Sequence, residues 1–189
     1  MPGAIPRISS SHALDLIQQG LPLINCYIEG DINLKKNEEK LVYPIFFENC
    51  IIENLISSAI DFKHSLTLIG STVLKCSFHS AYFFDGLTLD NCSFKSYLEF
   101  EAGGHNNRPF LIKNSNFSEF VNFFDCWFHS DVIIFNNHFE GGTNLMGNRN
   151  QIGGVEFVVS PFIQNNTGRI DADGDGGRPV NIINLLRFK

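Results

Sequence analysis

Tryptophan, methionine and charged residues are scarce in this sequence. The 189 residues contain one Trp and two Met, and charged side chains make up 18% of the chain against 43% hydrophobic ones. So little charge beside so much hydrophobic content excludes an intrinsically disordered chain. Acidic residues outnumber basic ones by 20 to 14, which gives a net charge of -6. This balance disfavours nucleic-acid binding, because such binding depends on Lys and Arg that neutralise phosphates.

Long apolar runs and a secretory leader are missing as well. No stretch approaches the roughly 20 apolar residues that cross a bilayer. The opening MPGAIPRISSSHALDL lacks the charged, apolar and small-residue regions of a signal peptide. We therefore expect a single-domain, cytoplasmic protein without a membrane partner.

Phenylalanine and cysteine, by contrast, recur in a pattern. The sequence has 19 Phe against four Tyr, and its five cysteines all occupy the second place of an eleven-residue unit. The copies are NCYIEGDINLK (25–35), NCIIENLISSA (49–59), KCSFHSAYFFD (75–85), NCSFKSYLEFE (91–101) and DCWFHSDVIIF (125–135). Two further copies lack the cysteine, NSNFSEFVNFF (114–124) and NNHFEGGTNLM (136–146).

Apolar or small residues at even places of the unit indicate extended chain with one buried face. Because eleven is odd, consecutive units stay in phase only if the chain turns a corner between them. The sequence therefore predicts an all-β coil of about five to six turns stacked at about 4.8 Å. The predicted core consists of the second and fourth places, which are Cys26, Ile28, Cys50, Ile52, Cys76, Phe78, Cys92, Phe94, Ser115, Phe117, Cys126, Phe128, Asn137 and Phe139. Asn at the first place is predicted to adopt left-handed corner geometry.

A small residue, any residue and then a bulky apolar residue recur near every five positions between residues 22 and 146. This pattern resembles the pentapeptide-repeat family, and SHALDLIQQGLPLINCYIEGDINL resembles the helix and first coil of many bacterial members. The resemblance implies a right-handed parallel β-helix with Cys and Phe pointing inward. Because steps of five and six residues alternate here, a general parallel β-helix of the polysaccharide-enzyme type also stays open.

The ends of such a coil need caps. Residues 1–21 are predicted as an N-terminal cap with a helix over 11–19, ended by Gly20. Residues 22–146 form the predicted repeat domain, and residues 147–189 are predicted to cover its other end. The insertion EAGGHNNRP (101–109) is predicted to bulge out as a loop.

Several groups of residues are candidates for disulfides or metal sites. The shared place of the five cysteines favours core packing over disulfides or a metal. Cys126, His129 and His138 are not expected to converge on zinc, whereas His79 and His129 share the fifth place and are expected to align on one outer face. In DADGDG, the acidic residues Asp171, Asp173 and Asp175 match half of a calcium loop, but Ile182 replaces its last ligand, so we expect a polar turn without a cofactor.

The outward places carry apolar residues that would form a strip if stacked. They are Leu55, Ala81, Phe83, Tyr97, Phe120, Trp127 and Ile133. We expect a non-enzymatic interaction protein that uses such a strip to bind a protein partner or a second copy in a homodimer. The alternatives are a carbohydrate-active β-helix acting as a lyase or hydrolase, and an acidic DNA mimic that binds topoisomerases.

Overall fold

The computed structural model describes residues 4–148 and 153–176, which form mostly β-strands joined in parallel. One α-helix, α1, spans Ser10–Gln18, and a 3-10 helix spans Lys35–Lys40. None of the helices in these residues is long and apolar enough to cross a membrane.

Sheet A contains ten of the strands. They are Arg7–Ser9, Tyr27–Asn33, Ile51–Ile56, Thr72–Ser77, Ser93–Phe94, Leu98–Glu99, Asn116–Phe117, Val121–Asn122, His138–Phe139 and Thr167–Gly168. Sheet B contains Leu23–Ile24, Ile45–Glu48, Leu66–Ile69, Leu87–Asp90, Phe110–Lys113, Val132–Phe135 and Phe162–Gln164. A third group, sheet C, comprises the pair Asp61–Phe62 and Tyr82–Phe83 and the pair Trp127–Phe128 and Glu156–Phe157.

The chain visits the sheets in a repeating order. From a strand of sheet A it passes through sheet C or a connecting segment to sheet B, and then returns to sheet A beside its previous strand. Each strand thus pairs in parallel with the equivalent strand of the neighbouring pass, for example Leu87 with Leu66 on one side and Phe110 on the other. Residues about 22 positions apart in sequence therefore become neighbours.

The corner from sheet B to sheet A has the same backbone geometry in every described pass. One residue adopts a left-handed conformation, with φ between 52° and 59°, at Asn25, Asn49, Gly70, Asn91, Asn114, Asn136 and Asn165. The predicted left-handed Asn corners are confirmed at the five positions that open a repeat unit. Asn tolerates this region better than other side chains, and Gly70 has no Cβ to hinder it.

A second corner follows sheet A, and its left-handed position is not restricted to Asn or Gly. Its left-handed residues are Ala59, Ser80, Ala102, Asp125 and Asn148. Two of the sequence units start elsewhere than expected, because Asp125 lies at this second corner and Lys75 lies within a strand, opposite Asn54. Their cysteines and phenylalanines therefore belong to other columns of the core than those of the remaining units.

The core is built from columns of like side chains, and all fourteen predicted core residues are buried. In one column the rings of Phe94, Phe117 and Phe139 stack with centroids 5.2 and 4.9 Å apart. A second column stacks Phe78, Phe100 and Phe123 at 5.1 and 4.9 Å. The phenylalanines of the core thus form more than one ladder of stacked rings.

The two ends differ in how well they follow the prediction. Helix α1 is present, is capped by the Ser9 hydroxyl, which accepts from the His12 amide at 3.2 Å, and buries Ala13 and Ile17. At the other end parallel pairing does not stop at residue 146. Phe162–Gln164 extends sheet B and Thr167–Gly168 extends sheet A, so the chain adds a further pass there. The last part of the predicted cap, VNIINLLRFK (180–189), lies outside the described residues.

The predicted bulge at residues 101–109 is wrong. Gly104 forms parallel bridges to Tyr82 and to Trp127, so the segment joins sheet C instead of leaving the stack. Asn106 is fully buried, and its side-chain oxygen accepts from the amide of His129 at 3.1 Å. Glycines and asparagines that indicate a loop in isolation here serve close strand approach and hydrogen bonding inside the stack.

We predict that Phe117→Ala lowers the free energy of unfolding by about 3–5 kcal/mol, because it removes the middle ring of a buried stack. Guanidinium unfolding followed by tryptophan fluorescence measures the loss. The matched control is Phe135→Ala on the outer face of sheet B, where we expect less than about 1.5 kcal/mol. Equal losses in the two variants would contradict the assignment of Phe117 to the core.

Candidate functional site

The predicted apolar strip does not form as one surface. Leu55, Ala81 and Phe83 are fully buried, so their assignment to the outside is wrong. Two successive residues, Glu53 and Asn54, turn away from the core and bring Leu55 back inward. The left-handed Ser80 likewise changes the phase of the alternation, so that Ala81 and Phe83 face the core.

Tyr97 and Phe120 remain outside the core but are covered by the chain itself. Their rings stack with centroids 6.3 Å apart. The Tyr97 hydroxyl donates to the Asp175 carbonyl at 2.9 Å, and Gly176 lies so close to the Phe120 ring that a side chain there would not fit. A surface occupied in this way is not available to a second copy of the protein.

The DADGDG segment forms a polar turn whose carboxylates have partners. Asp173 Oδ1 accepts from the Asn148 amide at 3.0 Å, and Asp171 lies 3.5 Å from the Arg169 guanidinium. The contact with Asn148 ties the segment to the preceding pass, and Ile182 lies outside the described residues.

The five cysteines are all free and buried. Three of them, Cys26, Cys50 and Cys92, share one column directly after the Asn corner, and the sulfur atoms of Cys26 and Cys50 are 3.6 Å apart. The same column continues with Ser71, Ser115 and Asn137. Cys76 and Cys126 lie in other columns, as the positions of their units require.

The cysteine column carries a role that the sequence did not reveal. The Cys50 amide donates to the Ser71 hydroxyl at 3.0 Å, and the Cys92 amide donates to the Ser115 hydroxyl at 3.0 Å. The Ser115 amide donates in turn to Asn137 Oδ1 at 2.9 Å. Small polar side chains here accept hydrogen bonds from corner amides that the sheet leaves unpaired. A repeat motif defined only by residue size does not reveal this role.

The histidines predicted to align do not do so. His79 follows a strand of sheet A, whereas His129 lies beside sheet C, where its ring centroid is 5.0 Å from that of His105. As expected, Cys126, His129 and His138 do not converge. The Cys126 thiol donates to the Phe100 carbonyl at 3.1 Å, and the His138 ring hydrogen-bonds the Thr167 hydroxyl at 2.8 Å.

Three rings form a row on the outside of sheet C, which we call the aromatic strip: Trp127, which is exposed, and Tyr82 and His105, which are partly buried. The centroid of His105 lies 4.2 Å from that of Tyr82 and 6.2 Å from that of Trp127. Gly104 holds the row together, because it bridges to both Tyr82 and Trp127 and presents His105 between them. Trp127, the single tryptophan of the chain, is 46% exposed.

Acidic residues flank the aromatic strip. Asp61 pairs in register with Tyr82 and Glu156 pairs in register with Trp127, and both acidic residues are exposed. Burial, with a smaller contribution from the neighbouring His129, lowers the pKa of His105 below its ordinary value of 6.5. The lowered pKa favours the neutral form of His105 at pH 7, and the strip is an aromatic row between acidic side chains.

A second group of side chains lies on the other side of the Ala102 corner, which we call the histidine-carboxylate cluster: His79, Glu99 and Glu101. Each offers one ligand atom, and these atoms all lie within 4.8 Å of one another. His79 Nδ1 is 3.6 Å from Glu99 Oε1. Glu99 is only 8% exposed, whereas His79 and Glu101 are half-buried.

The cluster arises from the register between two passes. Ser77 pairs with Glu99, and the Ser80 amide donates to the Glu101 carbonyl at 2.7 Å, so His79 stands beside the two glutamates. The three members come from two copies of the repeat whose outer places show no common pattern in the sequence. The sequence would indicate the cluster only if KCSFHS were aligned with the segment ending in LEFE, and that alignment requires the strand register to be known.

A scan against protein-family models found no match for this chain, and comparisons with curated proteins and with solved structures found none either. The resemblance to pentapeptide repeats therefore stays a prediction. The aromatic strip and the histidine-carboxylate cluster are the two candidate functional sites of the described residues.

We predict that the folded thiols resist modification. Burial raises the pKa of Cys92 to about 11, and burial with the neighbouring Cys50 raises that of Cys26 to about 12, against an ordinary value of 9.0. Ellman's reagent at pH 8 should react slowly with the native protein and fast with all five thiols in denaturant. Ser160→Cys, at an exposed position, is the control that should react at once.

The same shifts set a pH dependence of stability. In the unfolded chain the thiols of Cys92 and Cys26 ionise near their ordinary pKa of 9.0, but in the folded chain burial raises these two pKa values to about 11 and about 12. Their contribution to the free energy of unfolding is therefore constant below about pH 8 and falls as the pH rises toward 11. Fast native labelling at pH 8 would contradict the burial on which both expectations depend.

Proposed function

We propose that this chain is a non-enzymatic binding protein, a right-handed parallel β-helix that presents its aromatic strip to a protein partner. The repeated order of sheets and the in-register parallel pairing of successive passes support the β-helix. The observation that carries the binding function is the exposure of Trp127 in a row with Tyr82 and His105. Trp and Tyr are enriched at the energetic centres of protein interfaces.

The chemistry of the strip favours a partner segment that contains Arg or Lys. Exposed aromatic faces attract guanidinium and ammonium groups, and most strongly the face of Trp. Asp61 and Glu156 flank the rings at the two ends of the row and add charge attraction at its rim. Because the lowered pKa favours the neutral form of His105 at pH 7, that form does not oppose a cation there.

A parallel β-helix suits this task because its backbone is preorganised. The strip is held by the bridges of Gly104 and by the strand pairs beneath it, so little conformational entropy is lost when a partner orders the rings. We also propose that the chain is related to the pentapeptide-repeat family. This relationship is independent of what the aromatic strip binds.

The alternative functions receive less support from the geometry. An acidic polysaccharide would meet the negative flanks of the strip, and a homodimer through Tyr97 and Phe120 would compete with the segment that already covers them. A DNA mimic would need a continuous acidic face. On the outside of sheet B, however, Thr67, Thr88 and Leu111 lie in register and form an uncharged row. We propose a cytoplasmic location, which five free cysteines support.

The fluorescence of Trp127 tests the proposal directly, because the chain has no other tryptophan. We expect a saturable change in emission when an Arg-rich peptide is added, a weaker one with a Lys-rich peptide and none with a Glu-rich peptide of the same length. Tyr82→Ala should weaken the binding of the Arg-rich peptide about five- to tenfold. This is a loss of roughly 1–1.4 kcal/mol of binding free energy for one aromatic contact at the surface.

Tyr43→Ala is the control, since Tyr43 is 48% exposed, more than Tyr82, and is not one of the three rings of the strip. Lowering the pH well below 6.5 should weaken peptide binding, because His105, whose pKa burial lowers from that value, gains its positive charge there. The proposal fails if no peptide gives a saturable change, or if Tyr43→Ala and Tyr82→Ala have the same effect.

A further inference from the structure

We infer that the histidine-carboxylate cluster is a binding site for one divalent first-row transition-metal ion of the zinc class. His79, Glu99 and Glu101 supply the ligands. This inference is independent of the aromatic strip and of the partner that the strip binds.

The separation of the ligand atoms fits a shared ion better than a direct hydrogen bond. The 3.6 Å between His79 Nδ1 and Glu99 Oε1 is too long for a good hydrogen bond. Two ligand atoms that each lie about 2.1 Å from a tetrahedral zinc ion are about 3.4 Å apart. The 4.8 Å limit that encloses all three ligand atoms is close enough for small side-chain adjustments to complete such an arrangement.

The burial of the histidine ring nitrogen adds to this argument. Nδ1 of His79 is buried, and within the described residues it makes no hydrogen bond. A buried ring nitrogen without such a bond costs free energy, so native structures rarely leave one in this state. The nitrogen points toward the glutamates, and a bound cation would satisfy it as a lone-pair acceptor.

The glutamate side is already oriented for ligation. Asn122 Nδ2 donates to Glu101 Oε2 at 3.0 Å. Asn122 is itself fully buried and fixed, because its Oδ1 accepts from Asn144 Nδ2 at 2.7 Å and from the Phe124 amide at 2.9 Å. Outer hydrogen bonds of this kind hold a carboxylate in place and tune its affinity for metal.

The ligand set selects the class of ion. An imidazole nitrogen with two carboxylates suits Zn²⁺, Co²⁺ or Fe²⁺, whereas Ca²⁺ and Mg²⁺ prefer oxygen ligands alone. A divalent ion would also neutralise the repulsion between two carboxylates held within 4.8 Å of each other. With three protein ligands, water would complete the coordination, and the ion would join two neighbouring passes of the chain.

Isothermal titration of the metal-free protein with ZnCl2, under reducing conditions, tests the inference. We expect one Zn²⁺ per chain, no binding of CaCl2, and a thermal midpoint that rises with Zn²⁺ concentration. His79→Ala and Glu101→Gln should each weaken Zn²⁺ at least about tenfold, the lower range seen even when an outer partner of a ligand is lost. His12→Ala, which removes an exposed histidine on α1, should leave binding unchanged.

Two further measurements keep the result decisive. Glu101→Gln keeps the shape of a half-exposed side chain, so it gives the answer if His79→Ala does not fold, and circular dichroism in EDTA shows which variants are folded. His105→Ala tests the competing pair of imidazoles at 5.0 Å. The inference is overturned if the wild type binds no Zn²⁺, or if only His105→Ala reduces its affinity.

Discussion

The whole structure depends on in-register hydrogen bonding between successive parallel passes of the chain. The left-handed residue between sheets B and A resets the direction of the backbone at the same point of each pass, from Asn25 to Asn165. Once that corner is fixed, every other residue acquires neighbours about one pass away in sequence. The core columns, the polar column after the corner and the outer rows of side chains all follow from this single register.

Stacking of like residues turns the register into stability. The column that begins with Ile28 and Ile52 continues with Val73 and then with the stacked rings of Phe94, Phe117 and Phe139. Each offset ring pair adds about 0.5–1.5 kcal/mol beyond burial. The polar column beside it offsets the cost of bending, because Ser71, Ser115 and Asn137 satisfy amides at the corner. Apolar stacking and amide satisfaction are therefore coupled at the same bend.

The sequence predicted those features that the core constrains. Asn25 and Asn49 at left-handed corners, Cys50 inside and helix α1 at one end were readable because composition and geometry agree there. The second corner was not readable, since Ala59 and Asp125 share no side-chain chemistry. Without it the alternation loses phase, which explains why Phe83 was placed outside and why His129 was aligned with His79. The prediction of a loop over residues 101–109 failed for a related reason. Asn is common in loops, but Asn106 is buried in the stack and accepts a hydrogen bond there.

The same second corner carries both candidate sites, and this coincidence has a physical cause. His79 and Glu101 precede it and form the cluster, whereas Tyr82 and His105 follow it and form part of the strip. At the first corner, six of the seven left-handed residues are Asn and a small or short polar side chain follows each corner, so little freedom remains for other chemistry. At the second corner the stack asks only for a left-handed residue, which Ala102 and Ser80 meet equally well. Side chains next to that corner are free to differ between passes, and a rigid repeat becomes specific where its own construction constrains it least.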